Sequence, residues 1–232
     1  MPSPIPYRPE PHRAPAPDRN ALLARWEALL VRGRGGAAEP DPLPFGRALL
    51  ERWDEPQRHY HTLRHLTAVL DRVDELSAHA EDADAVRLAA WFHDAVYRPD
   101  RNENEERSAQ LAERALPEAG VPDRTTAEAA RLVRLTASHA PGEGDANGET
   151  LCDADLAVLG GSPEEYAHYA ASVRREYGFV PDPAFREGRA AVLRGLLDMP
   201  ALFRTPRGRA RWERAARRNM RGELDLLSVG PR

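Results

Sequence analysis

The segment Ala89-Ala90-Trp91-Phe92-His93-Asp94-Ala95-Val96-Tyr97 sets an imidazole and a carboxylate side by side in the middle of an apolar stretch. A carboxylate buried among Trp91, Phe92, Val96 and Tyr97 is costly unless something pairs with it. Any fold that accepts this segment must therefore bring a partner to it. A divalent metal ion is the most economical partner for both groups at once. Further candidate ligands stand at His61 and His65 upstream and at His139, Asp153 and Asp155 downstream. This constellation predicts metal-dependent hydrolytic chemistry and leaves the substrate open.

Composition narrows the alternatives. A chain of 232 residues is enough for one sizeable domain with a real core. Its one cysteine, Cys152, allows no internal disulfide and fits a reducing compartment. No apolar run is long enough to span a bilayer. The N-terminus is punctuated by proline and has no apolar signal segment, so a cytoplasmic location is expected. All 33 basic residues are arginine. The absence of lysine excludes a P-loop and a Schiff-base mechanism. A net charge of −4 argues against a dedicated nucleic-acid binder. Residues 186–221 are locally basic, with eleven arginines against Glu187, Asp198 and Glu213. Phe203 and Trp212 are too few aromatics for a base-stacking platform there. The segment reads as helix with a solvated face and an apolar stripe at Val192, Leu193, Leu196 and Leu197.

Residues 1–17 read as a disordered proline-rich tail. From 18 to 232 the pattern is that of one all-α domain, a bundle with short loops. Asp18 is a suitable N-cap for a first helix carrying Leu22, Leu23, Trp26, Leu29 and Leu30, which ends at the Gly33–Gly36 run. A proline-rich linker follows through Pro40, Pro42 and Pro44. Further helices are predicted at Phe45–Trp53, His61–Ala78, Ala83–Tyr97, Asn102–Ala115, Thr125–His139, Glu149–Leu159, Pro163–Tyr177, Ala184–Met199 and Pro206–Leu227. Leu63, Leu66, Val69, Leu70, Val73 and Leu76 recur at three- and four-residue steps. Ser162-Pro163 followed by two glutamates is a strong helix start. No period-2 alternation is sustained, so almost no sheet is expected.

On these assignments His61 and His65 lie one turn apart on a single helix face. Adjacent helical residues diverge by about 100°. His93 and Asp94 can therefore share an ion only in a groove against other helices. Asp153 and Asp155 are expected at the start of a helix, where capping competes with an inward role. A His, His, Asp, Asp set suits Mn²⁺, Mg²⁺, Fe²⁺, Co²⁺ or Zn²⁺ more than copper. An ion held by three or four protein ligands keeps open positions for water and lowers that water's pKa. Phosphoryl chemistry also requires positive charge around the equatorial oxygens. Arg58, Arg64, Arg174 and Arg189 are the substrate-binding candidates, because guanidinium forks match phosphate geometry. Glu105 and Asp153 are candidates for orienting ligands or accepting a proton.

Five segments resemble the HD superfamily of metal-dependent phosphohydrolases, and within it a bacterial subgroup of predicted phosphohydrolases. They are Arg58-His59-Tyr60-His61-Thr62-Leu63-Arg64-His65-Leu66, Trp91–Tyr97, Asn104-Glu105-Glu106-Arg107-Ser108-Ala109, Thr136-Ala137-Ser138-His139 and Asp153-Ala154-Asp155-Leu156. The similarity continues through Arg174-Arg175-Glu176-Tyr177 and Arg189 to Glu223-Leu224, covering most of residues 45–228. The resemblance implies an HD-type helical domain whose metal is held by a first histidine, the doublet and a distant aspartate. It favours His65 as the first ligand, because Val69 follows four residues later, with His61 as outer contact. It favours Asp155 over Asp153, because an Ala-Asp pair is the usual form of the last ligand. His61 and His139 are candidates for a second ion. Hydrolysis of a phosphoester or phosphoanhydride bond in a small, nucleotide-like molecule is the function implied, with Asp94, Asp153, Glu105 and His61 as the catalytic set. The alternatives are a di-iron oxygenase and a non-catalytic module that binds a nucleotide or a protein partner.

Overall fold

A computed structural model describes residues 17–36 and 39–229. The tail expected over 1–17 lies outside them except for Pro17. Every regular element among the described residues is helical. In order these are α1 (Arg19–Gly33), α2 (Leu43–Trp53), α3 (Leu63–Leu76), α4 (Ala83–Phe92), α5 (Asn104–Glu118), α6 (Asp123–Leu135), α7 (Ala146–Leu156), a 3₁₀ turn (Ala157–Gly160), α8 (Pro163–Glu176), α9 (Asp182–Asp198), α10 (Pro206–Gly208), a π turn (Arg209–Glu213) and α11 (Arg214–Ser228). None of these helices is long and apolar enough to cross a membrane.

The helix starts follow local chemistry. The Asp18 carboxylate accepts from the backbone N–H of Asn20 and Ala21 at the head of α1. Ser162 and Glu165 complete a reciprocal capping box at the head of α8. α4 is enclosed on every side: Ala85, Val86, Leu88, Ala89, Ala90, Trp91 and Phe92 are all buried. It packs against α1, α3, α5, α6 and α7, so its C-terminus opens into the middle of the molecule. Trp26 meets Trp91 edge-on at 5.2 Å, and Trp53 donates its indole N–H to the Trp91 carbonyl at 3.0 Å.

Four corrected helix boundaries move a candidate ligand, and the first is α6, which ends at Leu135 rather than His139 and leaves His139 in the segment beyond it. α4 stops at Phe92 rather than continuing to Tyr97, which makes His93 its C-cap and puts Asp94 in the following turn. The reason is Arg58. Its guanidinium is wholly buried and donates to the carbonyls of Asp94 (2.8 Å), His61 (3.1 Å) and Ala95 (3.4 Å). It takes the role that further helical N–H groups would otherwise fill. Ser108 similarly bonds both the N–H and the carbonyl of Val96. α3 begins at Leu63, so His61 precedes it and is not on the same helix face as His65. α7 begins at Ala146, which places Asp153 and Asp155 in its last turn instead of its first. Their capping at an N-terminus is thereby excluded.

Arg58 was a substrate-binding candidate in the sequence; the structure directs its guanidinium to backbone carbonyls and Glu55, between the rings of Trp53 and Tyr97. Replacing it by an apolar chain of similar length leaves buried acceptors without donors, each costing about 1–3 kcal/mol. Arg58→Met should therefore lose about 2–4 kcal/mol in urea unfolding. Wild-type stability in that variant would return Arg58 to the pool of ligand contacts.

Candidate metal centre

The site forms where the start of α3 meets the ends of α4 and α7. His65 sits in the first turn of α3, His93 caps α4, and Asp155 is the penultimate residue of α7. The Nε2 atoms of His65 and His93 lie 3.2 Å apart. Asp155 Oδ1 is 3.1 Å from His65 Nε2 and 3.7 Å from His93 Nε2. Asp94 Oδ2 closes the group from the other side, 3.1 Å from His93 Nε2 and 3.8 Å from His65 Nε2. All four residues are largely withdrawn from solvent.

His65, His93 and Asp155 form a cluster that suits a metal ion. Ligands about 2.0–2.2 Å from a shared ion lie roughly 3–3.5 Å from one another, which is the scale of the shorter separations here. The tautomer points the same way. His93 Nδ1 is 2.8 Å from the Ala90 carbonyl, which requires N–H at that nitrogen and leaves Nε2 facing the cluster. Two imidazole nitrogens brought this close to each other, between two carboxylates, need a shared cation, whether proton or metal. The C-terminal ends of α4 and α7 add partial negative charge that also favours a cation.

The proton affinities record the same field. Burial opposes charge on His93, yet Asp94 and Asp155 more than offset it and hold the imidazole up at about 9. Burial wins at His65 and lowers it despite Asp155. Burial opposes charge on Asp94 and Asp155 too, but the facing imidazoles keep both below the ordinary carboxylate range.

An outer ring of groups surrounds the four. His139, four residues beyond α6, adopts φ 48°, a left-handed conformation uncommon outside glycine. It thereby brings Nε2 to 2.8 Å from Asp155 Oδ2. His61 Nε2 is 3.9 Å from Asp94 Oδ2, and its Nδ1 is 2.7 Å from Glu176 Oε2. Glu176 is buried and also accepts the backbone N–H groups of His59, Tyr60 and His61, with the Tyr97 hydroxyl at 3.2 Å. Burial penalises its charge, but His61 and these donors bring its carboxyl down to about 2. Burial likewise opposes charge on His61, and Asp94 and Glu176 raise it nonetheless.

Other sequence candidates lie elsewhere. Asp153 is fully buried on the opposite side of α7 and accepts from the backbone N–H of Arg204 (2.7 Å) and Thr205 (2.8 Å) and from the Thr205 hydroxyl (2.7 Å). It anchors the connection before α10, which corrects its expected role as orienting ligand or proton acceptor. The side chain of Glu105, in the first turn of α5, makes no hydrogen bond or ion pair with another described residue. Arg174 is spent on Asp182 and the carbonyls of Tyr177 and Val180, and Arg189 on Glu223 and Tyr169. Neither guanidinium reaches the cluster directly. Arg64 is exposed on α3.

Sequence reasoning gave Glu176 no role. A signal was present: Tyr166, Tyr169, Val173 and Glu176 recur at helical spacing, which puts a carboxylate on the inward stripe of α8. No protein-family model, curated protein or solved structure matches the chain.

Metal and proton compete for His93, because only the neutral imidazole binds a metal. Its folded affinity for the proton is raised, so the imidazolium contributes stability below the unfolded value of about 6.5. That contribution is lost as pH rises through about 9. The metal-free protein should accordingly melt at lower temperature as pH climbs across this window. Mn²⁺ affinity, measured by competition with a chelator, should rise over the same range, with proton release on binding. A pH-independent affinity would remove His93 from the ligand set.

Proposed function

We propose that this protein is a divalent-metal-dependent hydrolase of the HD type, which cleaves a phosphoester or phosphoanhydride bond in a small, nucleotide-like substrate. The observation that carries the proposal is the gathering of His65, His93 and Asp155, drawn from three helix ends, with Nε2 and Oδ1 atoms 3.1–3.7 Å apart, and of Asp94 Oδ2 at 3.1 Å from His93 Nε2 and 3.8 Å from His65 Nε2. Their order along the chain is that of the superfamily the sequence resembles, from which the phosphorylated, nucleotide-like character of the substrate is taken.

His65, His93, Asp94 and Asp155 would hold the ion, which when bound supplies a water of lowered pKa and polarises a phosphoryl oxygen. The Ala90 carbonyl fixes the His93 tautomer, and His139 orients Asp155. Glu176 at Nδ1 and Asp94 on the Nε2 side both favour the protonated form of His61, against its burial. His61 is thus suited to protonate a departing oxygen. Trp53, whose ring lies 5.3 Å from that of His93, walls the cluster with apolar surface and strengthens every charge interaction inside it.

A second reading, a di-iron oxygenase, is favoured by one feature: the Asp155 carboxylate faces His65 with one oxygen and His139 with the other. Six donors are then available if His61 and His139 join the four. One colourless Mn²⁺ or Mg²⁺ per chain excludes that reading; two irons with a charge-transfer band support it.

The decisive experiment is a hydrolysis screen over nucleotides and phosphometabolites with Mn²⁺, Mg²⁺, Co²⁺, Fe²⁺ and Zn²⁺. Asp94→Ala should keep the helical circular dichroism, weaken Mn²⁺ binding on the order of a hundredfold or more, and abolish turnover. Retained turnover in Asp94→Ala would falsify the assignment. Absence of turnover with every metal would favour a binding module.

A further inference from the structure

Phosphoryl transfer needs hydrogen-bond donors on the non-reacting oxygens as well as a metal. The guanidiniums of Arg58, Arg174 and Arg189 are already spent on protein acceptors. The inner face of α8 offers a donor of another kind.

Tyr166, Tyr169 and Glu176 lie on that face. Glu176 braces His61, as described above. At the other end, the Tyr166 hydroxyl donates to Glu223 Oε2 of α11 at 2.5 Å. Glu223 in turn receives Arg189 of α9 through both oxygens, at 2.9 and 3.0 Å. The pair is well buried, with side-chain exposures of 8% and 12%. The third arm of the Arg189 fork, Nη1, donates to the Tyr169 hydroxyl oxygen at 3.1 Å. A buried ion pair thus aims one phenol.

That phenol stands beside Tyr60, whose ring packs on the cluster's His65 and on His61. The Tyr169 ring is 4.7 Å from Tyr60, edge to face, and Tyr60 is 4.7 Å from His65 and 4.7 Å from His61. Burial raises the Tyr169 phenol, against the opposing pull of the Arg189 guanidinium and with Glu223 and Asp155 adding smaller shares, so its oxygen keeps its proton at neutral pH. The oxygen accepts from Arg189, and its own O–H has no acceptor among the described residues. A donor so fixed and polarised by a cation costs little reorganisation when an anion arrives.

We propose that the Tyr169 hydroxyl donates to a non-reacting oxygen of the phosphoryl group held at the His65–His93–Asp94–Asp155 cluster, with Arg189 and Glu223 as positioning residues. This inference rests on reading the cluster as a metal-dependent phosphohydrolase. Tyr169→Phe keeps the ring contacts and deletes only the donor; Arg189→Lys keeps the charge and loses the fork.

The test uses the full chain loaded with Mn²⁺ and inorganic phosphate as probe, both titrated by calorimetry. Tyr169→Phe should bind Mn²⁺ within twofold of wild type and phosphate roughly tenfold more weakly. Arg189→Lys should weaken phosphate by a smaller factor, again with Mn²⁺ unaffected; a purely structural role for Arg189 would instead lower the melting temperature and leave the phosphate affinity of folded protein unchanged. Equal phosphate affinity in wild type and Tyr169→Phe, or no phosphate binding by Mn²⁺-loaded wild type, overturns the inference and leaves the metal reading standing. Failure of wild type to bind Mn²⁺ overturns the metal reading itself, and this inference with it.

Discussion

Asp94 and Asp155 are acids that the fold withdraws from water and surrounds with imidazoles. Bare carboxylates in such a place cost far more than the net stability of a domain of this size can absorb. Their stability is bound up with positive charge at the point they share, and His93 and His65 are placed to share it with them. Much of the surrounding architecture serves this requirement. α4 is enclosed so that its end arrives at the interior, α7 ends beside it, and α3 begins there. The Ala90 carbonyl, Glu176 and His139 then fix the orientation of the charged groups.

A centre built at helix ends behaves differently from one built on helix faces. Residues on a face are held by the regular backbone of one element. Here the ligands depend on where each helix stops, and long-range side chains decide that. Arg58 terminates α4 from 36 residues upstream by taking the Asp94 carbonyl. Glu176 gathers three successive amides before α3 from 115 to 117 residues downstream. Each is a buried charge that does no chemistry on its own account yet sets the position of a ligand. Loss of either shifts whole turns, so effects on metal and stability should be coupled through them.

This explains which parts of the sequence were legible. Apolar spacing located the helices, since Leu66, Val69, Leu70 and Val73 mark a core stripe without outside information. Local caps were legible for the same reason: Asp18 and Ser162 bond amides within three residues. The ends of α4 and the start of α3 were not, because Arg58 and Glu176 reach them across the chain. His61 and His65 consequently read as a pair on one face, although His61 belongs to the turn before the helix. Asp153 and Asp155 illustrate the opposite case. Two residues apart on a helix they differ by about 200°, so only one can face the cluster. Which one depends on the backbone amides of Arg204 and Thr205, which claim Asp153. No pattern near residue 153 announces that claim.

The arginines carry the same lesson into electrostatics. Residues 186–221 look like a basic surface when charges are counted along the chain. In space four of those eleven arginines are ion-paired. Arg189 is committed to Glu223, Arg217 to Glu213, and Arg207 and Arg211 converge on Glu75 of α3. A guanidinium engaged in this way offers little field to a distant anion, because its partner cancels the far potential while the hydrogen bonds fix its direction. What it can still do is orient a neighbour. Arg189 is the clearest instance: Glu223 neutralises it, and its remaining arm is directed at one phenol. In Arg189, as in Arg58, charge is spent on position.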